Sequence, residues 1–298
     1  MTPSYSVRIC TREELCGQPG LSPKSQFIVR PSEFHSPCGR DRFIILNLHH
    51  GGEALLPAAI KDNGVATLGP LIHPPGLTTE ERRRMWQAGI DWARTEHSTA
   101  FQLFCDQNAK DAAILGDLGF PVTTEIVTLT WDSCDLTVPH DETIRPASFE
   151  LEQPALSNLA ARTLVDSLDF PESIPLHRPQ DLLLEWVGGS DEAASESLIL
   201  VAESQGEMVG LLVARLTNQG RAEPVSCHIN YFGVAPEHRR QGWGTRLLNQ
   251  FLQLASRARV EAVSVFTDQR NLPAIQLYQQ AGFRVDDLRL PIVFHRIM

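Results

Sequence analysis

The sequence predicts a mixed α/β (α+β) protein built as two tandem domains of similar element order. Three observations carry this reading. The C-terminal half reads helices, three strands, helix, strand, helix, strands, which gives a mixed sheet with helices and not the regular alternation of a doubly wound fold. A polar stretch with one proline, SCDLTVPHDET at 133–143, lies between two apolar strand patterns and reads as a linker. Finally, FQLFCDQNAKDAAILGDLGF at 101–120 restates SVFTDQRNLPAIQLYQQAGF at 264–283. Asn271 minus Asn108 is 163, and Gly282 and Gly119, Phe283 and Phe120, and Val285 and Val122 keep that offset. One Gly-Phe match is only a common helix C-cap. The same offset at four positions within the same element order indicates an internal duplication.

The first half, 1–135, holds the strands FIILNLH and EALLPAAI around His50-Gly51-Gly52, then ATLGPLI and the helix ERRRMWQAGIDWARTE. AFQLFC, the helix KDAAILGDL, Gly119 and the strand EIVTLTW follow. His49 and His50 are neighbours on a strand, so they point to opposite faces and read as part of a hairpin, not a metal pair. The second half, 143–298, opens with a helix after Pro154 that runs to about Leu168, with Leu156, Leu159, Ala160, Thr163 and Leu164 at helical spacing. FPESIPLHRP (170–179) is a loop and DLLLEWV a short helix stopped by Gly188-Gly189. SLILVAES and EMVGLLVARL form a hairpin at Gln205-Gly206, and HINYFGV is a third strand. GWGTRLLNQFLQLASRA is an amphipathic helix, AVSVFT a strand, LPAIQLYQQA a helix ended by Gly282, and FRVDDLRL and IVFHRI close the chain as strands.

Composition narrows the function classes. A chain of 298 residues suits two domains, each able to bury its own core. Hydrophobic content of 42% and charged content of 21% are globular values. The first residues lack an apolar signal-peptide core, and no apolar run reaches membrane-span length, so the expectation is a soluble, cytoplasmic protein without a membrane partner. Cys10, Cys16, Cys38, Cys105, Cys134 and Cys227 form no CxxC pair, which fits reduced thiols and no metal site. Cys227 reads as a small buried strand residue before it reads as a nucleophile. A net charge of −10 argues against a nucleic-acid partner. It suits the attraction of a cationic amine, and solubility alone explains it equally well.

The stretch that carries chemistry is VAPEHRRQGWGTRLL, 234–248. A strand ends at Val234, a turn carries Gly242 and Gly244, and an amphipathic helix starts. Glycines let the backbone approach a ligand, the free N–H groups of a helix start favour an anion, and Arg239 and Arg240 add positive charge. This is phosphate or pyrophosphate chemistry. A Walker A loop and a dinucleotide fingerprint both need residues that are not here.

Arg239-Arg240-Gln241-Gly242-Trp243-Gly244 resembles the Q/R-x-x-G-x-G/A acetyl-CoA signature of the GNAT superfamily of N-acetyltransferases. Asn271, Ala274, Leu277, Tyr278 and Gly282-Phe283 resemble its second motif, N-x-x-A-x-x-L-Y-x-x-x-G-F. The resemblance covers about 143–298 and extends to 1–135 only through the repeat. It implies tandem GNAT-like domains, each a mixed, mostly antiparallel central sheet flanked by helices. It implies that the amides of Gln241, Gly242, Trp243, Gly244 and Thr245 cradle the pyrophosphate of acetyl-CoA. The strand Phe232-Gly233-Val234 would bond the pantetheine arm through its backbone, and Asn271 would contact the same arm. Asn271 is also placed as a helix N-cap before Pro273. Tyr278 matches the general acid of the family, able to protonate a leaving thiolate; because the whole motif is present, this reading is preferred over that of a core aromatic at a helical position.

The base is open. The strand before the loop carries no acid; His228 stands where arylalkylamine N-acetyltransferases carry a histidine, and a structural strand histidine is the competing reading. Glu203 and Glu172 are fallbacks. The implied reaction is acetyl transfer to a primary amine, of a small molecule or of a peptide or protein, by direct attack on the thioester in a ternary complex. The alternative is a catalytically silent acyl-CoA-binding module.

The first copy lacks the loop: under the 163 offset Gly242, Gly244 and Tyr278 fall on Thr79, Glu81 and Leu115. The run Arg82-Arg83-Arg84 reads as a solvated helix face rather than a phosphate site. The first copy is expected to be a degenerate, structural GNAT-like domain.

Overall fold

The computed structural model describes residues 7–11, 41–48, 53–61, 63–73, 75–105, 109–132, 136–187, 197–217 and 226–296. Asn108, the turn at His49 to Gly52, Cys16, Cys38 and Cys134 lie outside the described residues. The chain divides into two compact units, 1–125 with 290–298, and 126–289.

The first unit contains β1 (Val7–Cys10), β2 (Asp41–Asn47), β3 (Glu53–Ile60), β4 (Val65–Leu68), helix α1 (Thr79–Thr95), β5 (Ala100–Phe104) and helix α2 (Ala109–Asp117). Strands β1 to β4 pair antiparallel in chain order, and β4 pairs parallel with β5. The last strand of the chain adds Ile292–Arg296 antiparallel to β5. Helix α1 starts at a capping box: Thr78 takes the Glu81 amide, and the Glu81 carboxylate takes the Thr78 amide at 2.9 Å. Its apolar stripe, Met85, Trp86, Ile90 and Ala93, is buried on Leu46, Leu56 and Leu68. Gly89 lets the helix sit close, since a Cβ there would lie 2.6 Å from Leu68 and 2.7 Å from Leu56.

The second unit contains most of β6 (Thr124–Asp132), then β7 (Ile144–Pro146), α3 (Phe149–Leu164), α4 (Pro179–Trp186), β8 (Ser197–Ser204), β9 (Glu207–Thr217), β10 (Ser226–Val234), α5 (Trp243–Arg257), β11 (Ala262–Asp268), α6 (Leu272–Gln280) and the start of β12 (Arg284–Arg296). Its pairs are antiparallel from β7 through β10, parallel between β10 and β11, and antiparallel between β11 and β6. The expected mixed, mostly antiparallel sheet is therefore present, with β4–β5 and β10–β11 as parallel pairs. Alternate residues of β9 face opposite helical layers. Val209, Leu212 and Ala214 join the cluster under α5 and α6, while Leu211 and Val213 join the one under α3 and α4.

The repeat is visible in the elements themselves. Leu272 minus Ala109 is 163, and Gln280 minus Asp117 is 163, so α6 and α2 coincide at both ends.

Three readings change. Helix α3 begins at Phe149 behind the N-cap Ser148, carries Pro154 inside, and ends at Leu164. Pro154 costs one N–H bond near the first turn, which the buried face Leu156, Leu159 and Ala160 offsets. The boundary at 133–143 differs from the observed partition: Ile126–Asp132 belongs to the second unit, and 290–298 to the first. Strand periodicity identifies a strand but not its neighbour. The second half of that stretch is also no free linker, since Gln250 and Gln253 of α5 donate to the Pro139 and Val138 carbonyls, each at 2.7 Å. The arginine run is not a simple solvated face either. Arg82 is buried and pairs with Asp111 at 2.9 Å, while Arg83 and Arg84 pair with Asp117 and Glu80.

Among the described residues, no helix is long and apolar enough to cross a membrane, and no group of His, Cys, Asp and Glu could hold a metal ion. Cys10, Cys105 and Cys227 are buried free thiols, and burial pushes the Cys227 thiol up to about 12.

Candidate active site

The site is built where β10 and β11 part. Ser226 to Ile229 pair in parallel with Ala262 to Val265. The register then slips at Asn230, a β-bulge, and Tyr231 to Val234 pair with β9 while Phe266 to Asp268 pair with β6. The edge of Phe232-Gly233-Val234 that would face β11 is left to other partners. An extended amide-bearing arm fits such an edge by strand-like hydrogen bonding.

In the first unit the same place is closed. Gly69, which corresponds to Phe232 at the 163 offset, lies with its Cα against the Phe104 carbonyl; a Cβ there would sit 2.3 Å from that oxygen and 2.8 Å from Trp86. No arm passes between backbones at that spacing.

The two helix starts beyond these strands also differ. Helix α1 satisfies its own first turn through the Thr78–Glu81 box. Helix α5 has Gly242 as its N-cap, with φ of 85°, no side-chain cap and no acid in its first turn. Its first helical bond runs from the Arg246 amide to the Gly242 carbonyl at 3.0 Å, so the amides of Trp243, Gly244 and Thr245 precede the ladder. Arg240 is left-handed as well, with φ of 62°, so the loop turns sharply at two places just before the helix. Gly244 lies on the strand and the second motif together: a Cβ there would meet Leu277 at 3.3 Å, Phe232 at 3.6 Å and Val234 at 3.9 Å. A pyrophosphate with an extended arm fits this open cradle.

Side chains of the loop have other tasks. The Arg239 guanidinium donates to the Val234 carbonyl at 2.9 Å and to the Thr163, Val165 and Asp166 carbonyls at the end of α3. It fastens the loop to α3 rather than reaching out as a free cation. Gln241 donates to the Glu237 carbonyl. Arg246 stacks over Trp243 at 4.4 Å and pairs with Asp141 at 2.6 Å. Asn271 caps α6, accepting from Ala274 at 3.4 Å, and donates to the Thr267 hydroxyl at 3.3 Å.

Tyr278 is buried on α6 between Phe232 and Phe283, with ring centroids 6.1 and 5.3 Å away. Burial, and then the charges of Asp169 and Tyr231, push its phenol well above the usual value, so it stays protonated across the working pH range.

His228 is a poorer base than its position in sequence indicates. Its ring lies 4.5 Å from Phe266, with Nδ1 2.9 Å from the Ser264 hydroxyl, and desolvation lowers it to about 4. It stands opposite Ser264, before the strands part. The fallbacks are tied up. Glu203 pairs with Arg145, and Glu172 pairs with Arg270 through two bonds of 2.7 Å that hold its carboxyl below the usual range.

One residue here has no sequence motif. Asp169, in the loop after α3, puts Oδ1 on the Thr267 hydroxyl at 2.7 Å and on the Asp268 amide at 2.8 Å. That is the end of β11, on the open side of the slot. Burial raises its carboxyl above the ordinary value, although the Asp268 amide and the Thr267 and Asn271 side chains pull the other way. The one available signal was an acid between Leu168 and Phe170 in a loop.

Residues 161–283 match the model of the acetyltransferase (GNAT) family. N-acetyltransferase family 8 member 3 of Rattus norvegicus is 31% identical over 88 residues, 30% of this chain and 39% of that protein. An uncharacterized N-acetyltransferase, YhfO, of Bacillus subtilis is 31% identical over 91 residues, 61% of its length. The chain thus spans about two fifths of the first relative and about three fifths of the second. Among solved structures, a GCN5-related N-acetyltransferase from Sphaerobacter thermophilus aligns over 87% of this chain and 81% of its own, with a TM-score of 0.64 and 16% identity. A tandem GNAT protein from the clavulanic acid biosynthesis pathway aligns over 86% and 82%, with a TM-score of 0.59 and 16% identity. At such identities the likeness concerns the fold. The family match over 161–283 encloses the open loop, the slot and the second motif, and it is this segment that is similar to the GNAT acetyltransferases.

Proposed function

We propose that the chain is an acetyl-CoA-dependent N-acetyltransferase that acts on a primary amine by direct attack in a ternary complex. The observation that carries this is the contrast between the two helix starts: α1 is closed by its own capping box, and α5 opens its amides into a left-handed glycine loop. The donor contributes the activated acyl group. The chain's residues do the rest. The amides of Gln241 to Thr245 hold the pyrophosphate, aided by the dipole of α5. The free edge of Phe232 to Val234 aligns the arm, and a backbone N–H there polarises the acyl oxygen. Tyr278 supplies a proton to the leaving sulfur. Burial that raises the phenol also raises a thiol brought into the same slot, which keeps the two close enough in acidity for transfer. The first unit, with its closed strands and capped helix, acts as a structural domain.

The silent-module reading draws on the missing strand acid and the weak basicity of His228. One experiment separates the two: calorimetry with acetyl-CoA, then free-thiol release with a panel of small amines, peptide N-termini and lysine peptides. Binding with amine-dependent thiol release supports the enzyme. Binding without release from any amine leaves the silent module. No binding removes both.

A further inference from the structure

We propose that Asp169 is the group that accepts the proton from the attacking amine. The inference rests on the acetyltransfer reading above and deepens it.

The placement is specific. Tyr231 comes from β10, Thr267 and Asp268 from β11, and Tyr278 from α6, and the Asp169 carboxylate is fastened to the end of β11 beside them. Both anchoring bonds end on Oδ1, at 2.7 and 2.8 Å, so neither occupies Oδ2. The neighbouring acids are neutralised by one arginine. Arg270 bonds the buried Asp268 at 2.5 Å and Glu172 at 2.7 Å. Among the described residues no arginine or lysine pairs with Asp169. His228 stands three residues before Thr267 in strand register, roughly 10 Å along β11.

The surroundings suit a base. A carboxylate raised above its ordinary value by burial is better matched to an amine proton than an unshifted one. The charge of Asp169 is felt at both tyrosine hydroxyls, which puts acceptor and donor within one electrostatic neighbourhood. Tyr231 itself donates to the Thr163 hydroxyl at 2.8 Å and stacks on Trp186 at 3.6 Å, so it forms a fixed wall beside the carboxylate.

The balance closes. A neutral amine forms the N–C bond to the acyl carbon, and its excess proton passes to Asp169. The C–S bond breaks with its electron pair on sulfur, and Tyr278 protonates that sulfur. Asp169 then releases its proton to solvent and the Tyr278 phenolate takes one up, so both residues regain their starting forms. The net change is thioester plus amine to amide plus thiol, with no other reactant.

The test is Asp169→Asn, which keeps an oxygen for the Thr267 and Asp268 donors and cannot take a proton. The expected result is a fall in kcat of about 10²-fold or more, with acetyl-CoA affinity by calorimetry within about threefold and the acidic limb of the rate profile lost. The groups facing Asp169 in that profile are Tyr231, Tyr278, Asp268 and its partner Arg270, and Arg239 near Tyr231. Carboxyl-carbon NMR gives a readout independent of turnover: the Asp169 signal in the wild type titrates above the ordinary carboxylate range and is missing from the variant. Asp169→Glu, which keeps the charge, guards against misfolding and restores part of the rate. Wild-type turnover matched by Asp169→Asn within threefold, or an ordinary titration of Asp169, overturns the assignment and leaves the acetyltransferase reading standing. A wild type that binds acetyl-CoA and acetylates no amine overturns the acetyltransferase reading and this assignment with it.

Discussion

Gly233→Ala is a one-carbon change whose cost can be worked from the structure. A Cβ at Gly233 would lie 2.6 Å from the Tyr231 hydroxyl and 3.0 Å from both Tyr231 Cζ and Thr163 Cβ. Ordinary carbon contacts begin near 3.5 Å, so the tyrosine ring must retreat by roughly 1 Å. That movement breaks its 2.8 Å bond to Thr163 and disturbs the 3.6 Å stack on Trp186. Overpacking costs about 1–3 kcal/mol and the lost hydrogen bond about 1 kcal/mol. Taking the middle, about 3 kcal/mol corresponds to a drop in Tm of roughly 9 °C for a unit of this size. The assay is thermal unfolding of the wild type, Gly233→Ala, Tyr231→Phe and the double variant. Tyr231→Phe removes the nearest clashing atom, so the double variant is less destabilised than the sum of the singles, by about 1 kcal/mol. A Gly233→Ala Tm within a degree of wild type, or strict additivity, refutes the reasoning.

Three further outcomes are expected. Tyr278→Phe lowers kcat about 10²-fold with the KM for acetyl-CoA changed little, measured by steady-state thiol release; unaltered turnover removes Tyr278 from the chemistry. Gly242→Val weakens acetyl-CoA binding about tenfold or more by calorimetry because its φ of 85° excludes a β-branched residue, whereas Gly242→Asn retains more affinity. Asp141 is held at about 2, against an ordinary 3.8, chiefly by its bond from Arg246. Its folded value is depressed, so its stabilisation is full above about pH 4 and is lost as pH falls toward 2. Acid unfolding of Asp141→Asn therefore shows a shallower loss of stability across that window, and an unchanged acid limb contradicts it.

Much of this was legible in the residues. Gly242, Gly244 and the Asn271–Phe283 pattern are local features, set by left-handed backbone and helix spacing, and such features are written in consecutive residues. The missing loop of the first copy was legible too, from Thr79 and Glu81 in place of Gly242 and Gly244; the capping box that closes that turn was not. The base was not. Asp169 reaches β11 across about a hundred positions of chain, and only folding joins it to Thr267 and Tyr278. His228 occupied a suggestive position, but its desolvation depends on Phe266 and its neighbours, which periodicity does not reveal. Pro154 was read as a helix boundary because proline usually marks one; the buried face of α3 outweighs it. The division into units was hidden for a related reason: β6 and the end of β12 were seen as strands, and nothing in their alternation names the unit they complete.

The exchange of those two segments bears on how the protein can be cut. A fragment beginning at residue 143 would keep the loop, the slot and Tyr278, yet it would lose Ile126–Asp132, the strand that pairs with β11 from Ala262 to Asp268. The edge bearing Thr267 and Asp268 would then be bare, inviting aggregation where the chemistry is proposed to occur. A first half ending at residue 135 would in turn lack the strand at Ile292–Arg296 that closes β5. Proteolysis or gene splitting between the halves is therefore not equivalent to separating two domains. The half without a donor loop supplies the strand that backs β11, so inherited changes at Val127 or Leu129 bear on the strand that carries Thr267 and Asp268.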